Sequence, residues 1–190
     1  MKRNQIIEAA RELFHQFGFK KVSMDEIAAK AGVTKKTIYM YFSSKEELLK
    51  YFIYEEIQNM KDILEEVEQK NNDFFETVNE AIYRLLKYKE ERDFLSIITR
   101  EAELLKNKVI IDNLKLIDEQ IKDYIKMKLK TAKDNGYIDY DDLDITTFLV
   151  YKMYIALILE WDSDTKKLDD KMIANNISKI VKYGLRKDVD

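Results

Sequence analysis

The chain has no cysteine, no proline, one histidine and only four glycines, Gly18, Gly32, Gly136 and Gly184, in 190 residues. Without cysteine neither a disulfide framework nor a cysteine-ligated metal site can form, which fits the reducing cytoplasm where we expect the protein to reside. Sheet and βα folds need frequent turn residues, so this scarcity of glycine and proline points to few, long helices. Charges recur near the start, at Lys2, Arg3, Glu8, Arg11 and Glu12, so no signal peptide is expected there. The longest uninterrupted apolar stretch, Met153 to Leu159, is too short to cross a bilayer, and no membrane association is expected.

The same scarcity argues against catalysis. The single histidine, His15, shares the polar side of the first helical pattern with Glu8, Arg11 and Glu12, which marks it as a solvated side chain. No Cys–His or Ser–His–Asp set is available beyond it. A carboxylate-bridged di-metal bundle needs Glu-x-x-His pairs, and there are none. No glycine-rich phosphate loop occurs either. We therefore expect no catalytic residues, no metal and no cofactor.

What the chain does have is charge of unequal distribution and a sizeable apolar fraction, 46%. Its net charge is −3, yet residues 1–50 hold ten Lys and Arg against six Asp and Glu, while the remainder is acidic. A basic head on an acidic body can approach phosphates while the body stays off them.

Periodicity and caps divide the chain into helices. The first runs from about Arg3 to Phe17, with Ile6, Ala9, Ala10, Leu13, Phe14 and Phe17 as its stripe and Gly18 as its stop. Ser23 with Glu26 forms a capping box for a second helix, whose buried side is Met24, Ile27, Ala28 and Ala31. Gly32 ends it, Val33 plugs the turn, and Thr34 caps a short third helix to about Tyr41. Two short helices joined by a tight turn with one glycine follow helix-turn-helix grammar. Ser44 with Glu47 forms a second box and opens a long helix to about residue 69. Further helices are expected at about 74–88, 93–106, 110–134, 142–161 and 169–184, with Asn135-Gly136 as a stop and Asp142 or Asp144 as a cap. The expectation is an all-α fold, with a helix-turn-helix domain over 1–47 and a larger helical body over 48–190.

Residues Val22 to Leu48, with the Ile27-Ala28, Ala31-Gly32-Val33, Tyr39-Met40-Tyr41-Phe42 and Lys45-Glu46-Glu47-Leu48 runs, resemble the signature of the TetR family of transcriptional regulators. The match extends back through Leu13-Phe14 and Ala9-Ala10. The resemblance implies a sequence-specific DNA-binding regulator, a repressor released from a palindromic operator by a small hydrophobic or aromatic inducer. The third helix would enter the major groove N-terminus first, which brings Thr34, Lys35, Lys36 and Thr37 to the base edges. Lysine can donate to guanine, and threonine can donate, accept or touch a thymine methyl. By the resemblance, Tyr39 packs on the DNA backbone and Lys45 contacts a phosphate. Tyr41 stands where the family often has histidine. Ser23 adds a hydroxyl and helix-terminal N–H groups suited to phosphate.

Residues 148–161 are apolar nearly all round, broken only by Lys152 and Glu160, so this helix needs cover on nearly every side. By the resemblance, a second copy covers it: the last two long helices, about 142–161 and 169–184, make the homodimer. Two recognition helices then stand roughly 34–36 Å apart. The body is rich in aromatics, and Phe74, Tyr83, Phe94, Tyr124, Phe148, Tyr151 and Tyr154 are the candidate walls of an inducer pocket. The alternative is a DNA-binding dimer without a small ligand, controlled by a protein partner.

Overall fold

The computed structural model describes residues 1–71, 73–91, 94–156 and 169–185, leaving aside the side chains of 89–91, 94–96, 103 and 105. The described residues form nine helices: α1 (Lys2–Phe17), α2 (Met24–Lys30), α3 (Lys35–Tyr41), α4 (Lys45–Lys70), α5 (Phe74–Glu91), α6 (Phe94–Leu105), α7 (Lys108–Asp134), α8 (Leu143–Ile155) and α9 (Asp170–Leu185). No β-strand occurs among them. Each helix expected from periodicity is present within a few residues of its expected start. The final turns expected for α8, including Glu160 and Trp161, lie outside the described residues.

The chain divides into two compact units, Met1–Gln58 with Arg92–Ile117, and Asn59–Glu91 with Asp118–Asp190. The unit holding the helix-turn-helix is thus larger than residues 1–47. It takes in the first half of α4, all of α6 and the start of α7. Its core is built from Ile6, Phe14, Phe19, Ile27, Ile38, Leu48, Leu49 and Phe52, none of them more than 2% exposed. Burying each such side chain contributes about 1.5–3 kcal/mol relative to leaving it in water. Phe14 anchors this core, with its ring 5.4 Å from Phe19 and 5.9 Å, edge-on, from Phe52. Phe17, expected in the α1 stripe, is exposed instead. The turn after Gly18 brings Phe19 inward to fill that place, and Ile7 joins the buried side of α1.

Local caps explain the helix boundaries. Ser23 and Glu26 form the expected capping box at α2. Gly32, at φ 65°, closes α2 with a Schellman motif, in which Gly32 N–H donates to Ala29 and Val33 N–H to Ala28. Gly136 ends α7 in the same way. At α4 the expected box is only half formed. The Glu47 amide donates to Ser44 Oγ, but the Glu47 carboxylate accepts from Ser43, through its N–H at 2.5 Å and its hydroxyl at 2.8 Å. Phe42 leaves α3 in extended backbone, which brings Ser43 rather than Ser44 within reach.

In the second unit α5 packs on α9 around Leu86, Ile173, Ile177 and Val181. A second cluster joins Leu129, Ala132 and Ile138, flanked by Phe74, Phe75 and Tyr140. Asp142, not Asp144, caps α8 by accepting from Ile145 N–H at 2.8 Å. Thr146 and Thr147 are buried on α8, and their hydroxyls donate to the carbonyls of Asp142 and Leu143. That back-bonding lets two polar side chains sit in an apolar helix. Ile145, Phe148 and Leu149 on α8, and Met172, Ile180 and Tyr183 on α9, are exposed.

Candidate nucleic-acid interface

The geometry of α2 and α3 follows from which side chains the core takes. Ile38 and Phe42 are buried, so the opposite side of α3 faces water. Thr34, the α3 N-cap, accepts from Thr37 N–H at 3.2 Å, and the two threonine hydroxyls lie 2.9 Å apart. Lys35 and Lys36 are exposed on the first turn, Tyr39 and Tyr41 are 44% and 43% exposed, and Thr37 is half-buried. Met40 is 75% exposed, the most open side chain of the helix among its apolar residues. It went unassigned from the sequence, although its i, i+4 relation to Lys36 puts it on the outward side.

The two lysines are not equivalent. The Lys35 ammonium is 2.9 Å from Asp25 Oδ2 on α2, and this hydrogen bond pushes its pKa up. Among the described residues Lys36 has no such partner. Ser23 is exposed, and its hydroxyl donates to Glu26 Oε2 at 2.7 Å while accepting from Glu26 N–H. The Ser23 hydroxyl and amide hold the Glu26 carboxyl below its ordinary pKa of 4.5.

Lys45, expected by the resemblance to contact a phosphate, is bound to the protein's own main chain in this structure. Its ammonium donates to three main-chain carbonyls, Phe19 at 2.8 Å, Lys20 at 3.3 Å and Val22 at 2.7 Å, and lies over the Phe19 ring. An ammonium has three N–H donors, and all three are engaged here. Burial lowers the Lys45 pKa. Its part in this structure is to fasten the turn between α1 and α2. Arg3 lies over the rings of Phe42 and Tyr51, 5.4 Å and 4.7 Å from their centroids, and braces the corner between α3 and α4.

Of the seven aromatics proposed for a pocket, the six whose side chains are described stand in different surroundings. Phe74 stacks on Tyr137 at 5.6 Å within the Leu129 cluster. Tyr124 donates to Glu68 at 2.8 Å, and burial raises its pKa. Tyr151 is buried, with Lys122 over its ring. Tyr83 is half-buried, with Lys171 over its ring. Phe148 is exposed beside Ile145 and Leu149. Tyr154 packs on the Leu86 cluster; among the described residues its hydroxyl has no hydrogen-bond partner, and burial raises its pKa. The Phe94 side chain lies outside the described residues.

No helix of the described residues is long and apolar enough to cross a membrane. Residues 6–52 match the family model for bacterial regulatory proteins of the tetR family. The chain is 31% identical over 184 residues to the HTH-type transcriptional regulator YhgD of Bacillus subtilis, covering 97% of this chain and 96% of that one. Among solved structures, a TetR-family transcriptional regulator from Mesorhizobium loti superposes with a TM-score of 0.77 at 19% identity, over 98% of this chain and 97% of that one. The regulator FadR of Bacillus subtilis, solved with stearoyl-CoA, superposes with a TM-score of 0.75 at 22% identity, over 96% and 98%. With the helix-turn-helix geometry of α2 and α3, and with a relative matched along nearly its whole length, the chain belongs to the TetR family of bacterial transcriptional regulators.

Proposed function

We propose that the protein is a cytoplasmic homodimeric repressor that grips a near-palindromic operator with α3 and lets go when an amphipathic ligand occupies its second unit. The observation that carries the DNA half is the outward side of α3. Lys36, Tyr39 and Met40 stand in water on a helix whose other side is locked by Ile38 and Phe42. Ser23, Thr34, Lys35, Thr37 and Tyr41 complete the proposed contact surface, and Lys45 supports it from behind.

The dimer half rests on α8 and α9. Ile145, Phe148 and Leu149 share one side of α8, and Met172, Ile180 and Tyr183 are exposed on α9. These side chains cost free energy while they face water, and a second copy is the natural cover for them. Phe148 belongs to this seam in our reading rather than to a ligand pocket.

For the ligand we propose a long-chain acyl thioester. Its support is the apolar Leu86 cluster, with Tyr154 packed against it, and the likeness to a regulator solved with stearoyl-CoA. As α7 does, α4 runs from one unit into the other, unbroken from Lys45 to Lys70. A ligand that prefers one arrangement of that helix must change operator affinity by its differential affinity for the two states.

The test is fluorescence anisotropy with a duplex selected by the protein from a random pool, titrated with stearoyl-CoA. Release of the duplex is the expected result. Tight stearoyl-CoA binding with unchanged operator affinity would overturn the acyl reading. Thermal shifts against candidate metabolites then separate a different small ligand from control by a protein partner, because binding to the native state raises stability.

A further inference from the structure

The turn between α1 and α2 is gripped from α6. Glu101 accepts from Phe19 N–H through Oε2 at 2.6 Å and from Lys20 N–H through Oε1 at 2.5 Å, across more than eighty residues of chain. Both oxygens of one carboxylate are thus committed to two consecutive amides. Gly18 makes room for it. Its φ is 79°, and a Cβ there would lie 3.0 Å from Glu101 Oε2. The α6 side next to Glu101 is fixed by packing, because Ile98 and Ala102 are buried and α6 lies against α1.

The carbonyls of the same turn point the other way. Phe19, Lys20 and Val22 all accept from the Lys45 ammonium on α4. Of the four residues just before Ser23, Phe19 and Lys20 therefore have their amides held by a carboxylate on α6, while Phe19, Lys20 and Val22 have their carbonyls held by an ammonium on α4. Charge-assisted hydrogen bonds of this kind are shorter and roughly twice as strong as neutral ones. Ser23, the N-cap of α2, follows directly, so this clamp sets how α2 and the helix after it stand. Because one jaw belongs to α6, any displacement of α6 carries the amides of Phe19 and Lys20 with it.

We propose that Glu101 is a positioning residue for operator recognition, holding the α1–α2 turn so that α2 and α3 present their DNA-contacting side in register. The inference rests on the DNA-binding reading above. It is distinct from that reading because Glu101 lies outside the helix-turn-helix and touches no proposed DNA contact.

The experiment compares wild type with Glu101→Gln, which keeps the shape but offers one acceptor where there were two. Amide exchange by NMR, thermal unfolding, and anisotropy with the selected duplex and with a scrambled duplex are measured for each. In the variant we expect Phe19 and Lys20 amides to exchange at least tenfold faster. Affinity for the selected duplex should fall about tenfold, while affinity for the scrambled duplex and the unfolding midpoint stay close to wild type. Unchanged exchange at Phe19 and Lys20 would overturn the clamp. Faster exchange with unchanged discrimination between duplexes would overturn the positioning role. Should the variant fail to fold, wild type decides alone: protection of the Phe19 and Lys20 amides must rise when the selected duplex binds, and protection that does not rise overturns the proposal. A wild type that binds both duplexes alike would sink the DNA reading itself, and the positioning role with it.

Discussion

Lys35 on α3 donates to Asp25 on α2 across 2.9 Å, while Lys36 beside it keeps its charge exposed. The pair therefore splits into a lysine that must exchange partners to meet a phosphate or a base and one that need not. Both carboxylate and ammonium are exposed, so the ion pair itself adds little to stability.

That asymmetry predicts unequal substitutions. Lys36→Ala should weaken operator binding about tenfold or more and reduce the slope of log affinity against log salt by about one, as expected for the loss of one phosphate neutralised. Asp25→Asn should strengthen binding, because it removes both the competitor for Lys35 and a negative charge near the duplex. Changing both lysines to alanine should abolish specific binding without unfolding. Anisotropy across a salt series checks all three. Equal effects of Lys35→Ala and Lys36→Ala would show that the Asp25 bridge is irrelevant on DNA.

The exposed seam of α8 and α9 predicts that Phe148→Glu combined with Ile180→Glu yields a folded monomer. Both side chains are more than half exposed in the single chain, at 51% and 58%, so the core should not notice. Sedimentation equilibrium reports the mass and circular dichroism the fold. Operator affinity should drop steeply, since one recognition helix must then act alone. A variant that still sediments as a dimer would place the interface elsewhere.

Tyr154→Phe separates fold from function. Tyr154 packs on the cluster of Leu86, Ile173, Ile177 and Val181, and among the described residues its hydroxyl makes no hydrogen bond, so removing it should leave stability unchanged or raise it by up to about 1 kcal/mol. The thermal shift produced by stearoyl-CoA should shrink at the same time. A clear loss of stability in the apoprotein would mean that the hydroxyl has a structural partner after all.

Two glycines should respond in opposite directions to alanine. Gly32 has φ 65° with open space where a Cβ would go, so Gly32→Ala meets only the left-handed backbone penalty, roughly 1–2 kcal/mol. Gly184 lies within α9 without positive φ and with equally open space, so Gly184→Ala should stabilise by about 0.5–1 kcal/mol. Thermal unfolding should move by roughly 2–4 °C for each kcal/mol in a chain of this size. The same sign at both positions would refute the assignment of the α2 turn.

Acid should loosen the caps. Glu26 and Glu47 are held below their ordinary pKa of 4.5, chiefly by the Ser23 hydroxyl and the Ser43 amide respectively. A depressed folded-state pKa means that the stabilisation is complete above the ordinary value and lost as pH falls through the depressed one. The side-chain NMR shifts of both should therefore titrate below 4.5, and fraying at the starts of α2 and α4 should begin only there. Titration at or above the ordinary value would mean that neither cap persists in solution.

Much of this architecture was legible in the residues. Ser23 with Glu26 and Gly32 with Val33 specify their caps through bonds a few residues long, and Ile38 with Phe42 announces which side of α3 is buried. The exchange of Phe17 for Phe19 was not legible, because both are aromatic and only the path of the turn after Gly18 decides which ring meets Phe14. Nor was the shift of the Glu47 bond to Ser43, which depends on the extended backbone at Phe42. Which of the body aromatics share a pocket was not legible either, since spacing along a helix gives a direction and not a neighbour.

Local residue patterns were enough for the helices, the caps of α2 and α3, the helix-turn-helix and the family, because each of these is set by interactions within a few residues. It took the packing of the helices to show that Lys45 holds carbonyls, that Lys35 is tied to Asp25, and that Glu101 reaches the turn at Phe19 and Lys20. Those bonds join groups ten, about twenty-five and more than eighty residues apart. A hydrogen bond forms only when its atoms come within about 3 Å, and that proximity arises from how the helices pack.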